Sequence, residues 1–78
     1  MEITDYAAFA ARVIRAHGRR VAEGDVEGLA ELLDLARELD AATAAAVTGL
    51  RAFGYSWGDI AGRLDTSRQA AQQRWGTR

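Results

Sequence analysis

Seventy-eight residues with a formal net charge of −1 make one small domain, and 17 of its hydrophobic residues are alanine, so only a modest core of larger side chains is available. The absence of cysteine excludes disulfides and thiolate metal sites, and the absence of proline with long Ala/Leu/Arg/Glu stretches predicts an all-α chain. No apolar run approaches the roughly 18 residues of a membrane span and no leader-peptide pattern is present, so a soluble, cytoplasmic protein is expected.

The N-terminal helix is predicted to start after Thr4 or Asp5, either of which can cap it. Tyr6, Ala10, Val13, Ile14, His17 and Val21 recur at helical spacing, with Phe9 beside them. Gly18 weakens this helix or stops it early. Gly24-Asp25 ends it more clearly, the glycine taking the left-handed position and Asp25 capping the next helix. His17, the one histidine, has no nucleophile or carboxylate set around it and reads as a partly buried surface residue.

The long central helix runs from Val26 to Phe53. Leu29, Leu32, Ala36, Leu39, Thr43, Ala46, Leu50 and Phe53 keep a 3-4 spacing without a slip, the pattern of a coiled-coil or helix-packing seam. Leu33, Leu35 and Val47 widen the stripe. One continuous helix of about 28 residues, about 42 Å long, is expected, with a break near Asp40 as the alternative. The seam either packs on the first helix or pairs two chains. Its length favours a homodimer, so residues 1–53 are assigned to dimerisation and packing. From Glu23 to Asp40, seven acids against Arg37 give −6. They lack the spacing of a calcium loop and cover the exposed face, where a protein partner is the other use for them.

Gly54 stops the long helix and leaves Tyr55 to fold back on Phe53 or Leu50. Ser56 and Asp59 form a Ser-x-x-Asp capping box. Ile60, Ala61 and Leu64 supply the inner face of a short helix, and Asp65-Thr66-Ser67 breaks it. Arg68 to Trp75 then forms a second helix with Ala71 inward and Arg and Gln outward. Residues 51–78 hold Arg51, Arg63, Arg68, Arg74 and Arg78 against Asp59 and Asp65, a net of +3, so only this end suits a polyanion. All ten basic residues are arginine, which fits a GC-rich genome and carries no mechanism.

The string Ser56-Trp57-x-x-Ile60-Ala61-x-x-Leu64, then Thr66-Ser67-Arg68-Gln69-Ala70-Ala71-x-x-Arg74-Trp75, resembles the helix-turn-helix of small actinobacterial DNA-binding regulators. It is also similar to region 4 of sigma factors and to other homeodomain-like units. The likeness covers about residues 50–76, with the unit itself at 54–76. It implies a sequence-specific DNA-binding protein, a transcription regulator acting as a dimer, with its recognition helix at about 67–75 in the major groove. Where the family usually places glycine in the turn this chain has Asp65, a position that tends to positive φ. The acid also sets a negative charge near the expected phosphate track.

On that reading Arg68, Gln69, Gln72 and Gln73 are the base-reading residues, since glutamine matches adenine and arginine matches guanine. Arg63, Thr66, Ser67 and Arg74 are the phosphate contacts. Gln69 has a competing use, because Thr66-x-x-Gln69 is itself a capping box. Trp57 and Trp75 read as core, not as stacking platforms. The partners implied are double-stranded DNA and a second copy of the chain, in a nucleoid-associated setting, with no membrane contact. A helical adaptor that keeps the fold without DNA binding, and a phage-like DNA-packaging or architectural protein, are the alternatives. No enzyme, cofactor or metal is expected, because no nucleophile–base pair, metal cluster or phosphate loop is present.

Overall fold

A computed structural model describes residues 3–76, with side chains from residue 5 onward. Four helices are present: α1 (Ile3–Ala22), α2 (Gly28–Phe53), α3 (Trp57–Arg63) and α4 (Arg68–Trp75). No strand occurs among the described residues, so the fold is all-α. No described helix is long and apolar enough to cross a membrane. The chain divides into two compact units, Met1–Glu38 and Leu39–Arg78, with the boundary inside α2.

In the first unit α1 begins at Ile3, which puts Thr4 and Asp5 inside the opening turn and not at the cap. Asp5 there faces the positive end of the helix dipole. The helix passes through Gly18 and ends at Ala22. Asp25 then holds the start of α2, its Oδ1 accepting from the Gly28 N–H at 3.3 Å. Arg20 approaches the same carboxylate at 3.7 Å. A Cβ at Gly28 would stand 3.0 Å from Val21 Cγ2 and 2.7 Å from Asp25 Oδ2, so the Asp25 side chain would have to shift to admit one. His17, half-buried, donates from Nε2 to the Gly28 carbonyl at 3.1 Å.

The second unit holds the core. Helix α2 continues unbroken through Asp40. Its end is a six-residue closure in which Gly54 adopts φ 118 while Tyr55 N–H donates to Leu50 O at 3.0 Å and Gly54 N–H to Arg51 O at 3.1 Å. The Tyr55 ring folds back beside Phe53, centroids 6.4 Å apart. Ser56 and Asp59 make both bonds of the capping box, at 3.0 and 2.9 Å. The buried residues are Val47 (6% exposed), Ile60 (5%), Ala61 (2%) and Ala71 (1%). Two alanines at the centre let α3 and α4 lie close.

Two expectations change here. Leu64, placed on the inner face by periodicity, is 50% exposed, because it is the C-cap of α3 and its backbone already leaves the helix. Val47, read as a widening of the stripe, is the buried hydrophobic residue of α2. As for the seam, Leu29, Leu39, Leu50 and Phe53 stand exposed, as do Ala36 and Ala46, and only Leu32 and Thr43 are half-buried.

Candidate nucleic-acid interface

The turn between α3 and α4 sets the candidate surface. Asp65 takes φ 54, the left-handed conformation that the resemblance implies for this turn position. Around it Thr66 N–H donates to Ala61 O at 3.2 Å and Leu64 N–H to the same oxygen at 3.1 Å, closing α3 as Gly54 closes α2. That closure uses the Thr66 N–H, so Thr66 belongs to the end of α3. The next residue, Ser67, is extended at φ −82 and ψ 155 and caps α4, its Oγ accepting from Ala70 N–H at 3.0 Å.

The Thr66-x-x-Gln69 capping box therefore does not form; position N3 is Ala70. Gln69 is left exposed, with no side-chain hydrogen bond among the described residues. At about 100° per residue, Gln69 and Gln73 stand almost opposite the buried Ala71, roughly 160° to either side. Gln72 lies about 100° round, and all three glutamines are exposed. Arg68 and Arg74 sit only about 60° from Ala71, on the two flanks of α4.

The arginines are tethered in different degrees. Arg63 Nη1 donates to Asp59 O one turn back at 3.2 Å. Arg74 has its guanidinium over the Trp75 ring at 4.9 Å and reaches Asp40 on α2 at 3.7 Å. Both members of that ion pair are exposed, so it contributes at most about 1 kcal/mol and is easily exchanged for another anion. Arg68 has no ion pair among the described residues. Arg78 lies outside the described residues. Asp59 is held ionised below the ordinary aspartate range, chiefly by the Ser56 backbone N–H, then by the Ser56 hydroxyl, with a lesser pull from Arg63 against some desolvation.

The tryptophans are both half-buried, a partial core role. Arg51, which the sequence did not single out, lies over the Trp57 ring at 5.0 Å and donates to the Tyr55 carbonyl at 3.0 Å. With Val47 and Thr48, the two indoles line one recess of the second unit. A larger groove of about 380 Å³ runs between α2 and α3, lined by Ala46, Val47, Leu50, Tyr55, Ile60 and Leu64. Neither feature has a local signal: both depend on side chains brought together from separate helices. Among the described residues no group of three or more His, Asp or Glu gathers as metal ligands.

Taken together, the surface offers two hydroxyls and an arginine at the start of a capped helix, then an exposed row of glutamines along its outer side. The chain matches no protein-family model, no curated protein and no solved structure.

Proposed function

We propose that this chain is a sequence-specific DNA-binding protein, a dimeric transcription regulator that lays α4 in the major groove. One observation carries the reading. Gln69, Gln72 and Gln73 form an exposed row on the side of α4 away from the buried Ala71, and the helix is fixed at both its start and its packed face. Glutamine amides match the adenine N6/N7 pattern in the groove. Arg74 suits a phosphate beside the groove, as do Arg63 and the hydroxyls of Thr66 and Ser67 near the helix start, and Arg68, on the other flank of α4, reads a base edge or takes a phosphate. The Ser67 oxygen is occupied as an acceptor, but its O–H remains a donor. Association with the nucleoid, in the cytoplasm, belongs to this reading.

Two copies would place two such helices about one DNA turn apart. With about 4–6 phosphates neutralised per dimer, log K falls with log salt at a slope of roughly −4 to −5. The test is fluorescence anisotropy against DNA from upstream of the protein's own gene and a shuffled control at two salt concentrations. Tighter, salt-sensitive binding to the native sequence is expected. Gln72→Ala then loses about 1–3 kcal/mol of discrimination at one base pair while non-specific affinity holds. Equal binding to both DNAs would replace the regulator with an architectural protein. No binding at the lower salt would leave the adaptor, which the acidic residues of α2 would serve.

A further inference from the structure

Helix α4 is chemically narrow. Its eight residues, Arg-Gln-Ala-Ala-Gln-Gln-Arg-Trp, hold three glutamines, two arginines and no acid. Trp75 is half-buried and Ala71 buried, which leaves amides, guanidinium groups and one methyl, that of Ala70, on the outside. Their places differ. Gln69 and Gln73 stand about 160° from Ala71, on the outermost line of the helix, and Gln72 and Ala70 flank that line, each about 100° from Ala71. The two arginines start only about 60° from Ala71, and the guanidinium of Arg74 is drawn further inward to Trp75 and Asp40. Gln69 precedes Gln73 by one turn, so the two stand about 6 Å apart along the axis, close to two base steps of about 3.4 Å each. Ala70, three residues before Gln73, lies on the same side of the helix as that residue.

We infer that the DNA this helix selects is a run of about three neighbouring A·T pairs, with adenine read by the glutamines and the thymine methyl by Ala70. The inference rests on the proposal that α4 enters the major groove, and it names the bases chosen there. A glutamine amide holds a donor and an acceptor side by side. Adenine offers the complement of that pair, N7 and N6–H₂, so both bonds form. Guanine offers two acceptors, O6 and N7, and the amide oxygen then faces another acceptor. Cytosine gives its N4–H₂ donor alone, one bond in place of two. Three amides on one side of α4 repeat the same preference. Thymine is the base with a methyl in this groove, and a small apolar side chain beside Gln73 meets it without displacing the amide. The helix has no carboxylate, the group that accepts from the cytosine of a G·C pair. Arg68, the member of the reading set suited to guanine, stands at the start of α4 and so at the edge of the run.

The test titrates the full-length protein, by fluorescence anisotropy, into three sets of duplexes that share their flanks. They differ in a central block of A·T, G·C or inosine·cytosine pairs in mixed order. Inosine shows the acceptors of guanine in the major groove but lacks its minor-groove amino group, so it separates the two grooves. The A·T set should bind about tenfold tighter than either other set. That gap should hold at two salt concentrations, because the phosphate contacts are common to all three. Replacing adenine by 7-deazaadenine, which has no N7, should remove most of the gap. Uracil in place of thymine should weaken binding about two- to threefold by loss of the methyl. Ala70→Gly, with helicity checked by circular dichroism, should be indifferent to that change; the uracil result on the parent chain stands without the variant. Inosine·cytosine bound as tightly as A·T overturns the inference in favour of minor-groove or shape readout. A preference for G·C overturns it in favour of Arg68. Equal, salt-sensitive binding to all three sets overturns it and leaves DNA binding intact, whereas no binding to any set at the lower salt removes both.

Discussion

The two units of this chain solve helix formation in opposite ways. The first relies on length: α1 has 20 residues, and α2, whose first turns belong here, has 26. Among its described residues it buries no large side chain, Gly28 being the buried position. The second relies on definition. Helices α3 and α4 have only 7 and 8 residues, far below the roughly 12–15 that hold together in water. Each is fixed by a serine cap, a close at its end and a buried residue on its inner face. Short helices need every device that long ones can omit.

Truncating one apolar residue in each unit should show that contrast most visibly. Ile60→Ala removes the largest buried side chain of α3 and is expected to cost about 2–5 kcal/mol, enough to unfold a core this small. Leu33→Ala in the first unit should cost the isolated chain under about 0.5 kcal/mol, and more only as chain concentration rises. Urea titrations at two concentrations read both. Equal costs at low concentration would mean that the first unit has an interior after all.

Gly54→Ala tests whether definition at the joints matters as much as the core. With φ at 118 an alanine is strained, and the expected loss is about 1–3 kcal/mol, confined to the second unit. An unchanged midpoint would show that the close of α2 is dispensable. Asp65→Gly works in the other direction. Relief of the left-handed conformation should stabilise by about 0.5 kcal/mol, after the extra freedom glycine gives the unfolded chain. The lost negative charge should also tighten DNA binding, so weaker binding by this variant would contradict the placing of the turn beside phosphate.

The smallest effect is with pH. Asp59 has a lower pKa folded than unfolded, so its contribution is complete above the unfolded value of about 3.9 and is lost as pH falls through the lower, folded one. Helicity of the second unit should therefore weaken with acid below about pH 4, and the Asp59→Asn variant should lack that component. Matching acid curves for the two proteins would remove Asp59 from the account.

What could be read from the sequence was local. Gly54 and the Ser56–Asp59 box each depend on residues within a few positions and appear where their spacing places them, while the left-handed Asp65 follows what the helix-turn-helix resemblance implies for that turn position. The choice between Thr66 and Ser67 as cap could not be made that way, because it turns on whether the Thr66 N–H is already spent on Ala61. The inward placing of Leu64 failed because periodicity continues past the point where α3 stops. Arg74 meeting Asp40, and Arg51 over Trp57, are products of helices crossing, and nothing along the chain signals either. The glutamine row was legible because one buried alanine, Ala71, fixes the orientation of all eight residues of α4.

Both tryptophans, Trp57 and Trp75, sit in the second unit, each under an arginine. Indole emission consequently reports that unit alone, from rings whose surroundings change when Arg51 or Arg74 moves away. Far-ultraviolet ellipticity is weighted instead towards the 20 and 26 residues of α1 and α2. The chain thus carries two optical channels without any label. Superimposable denaturation curves in the two channels would make the units one cooperative whole. Curves that separate would give each unit its own midpoint, and a denaturant concentration at which one stands while the other has melted.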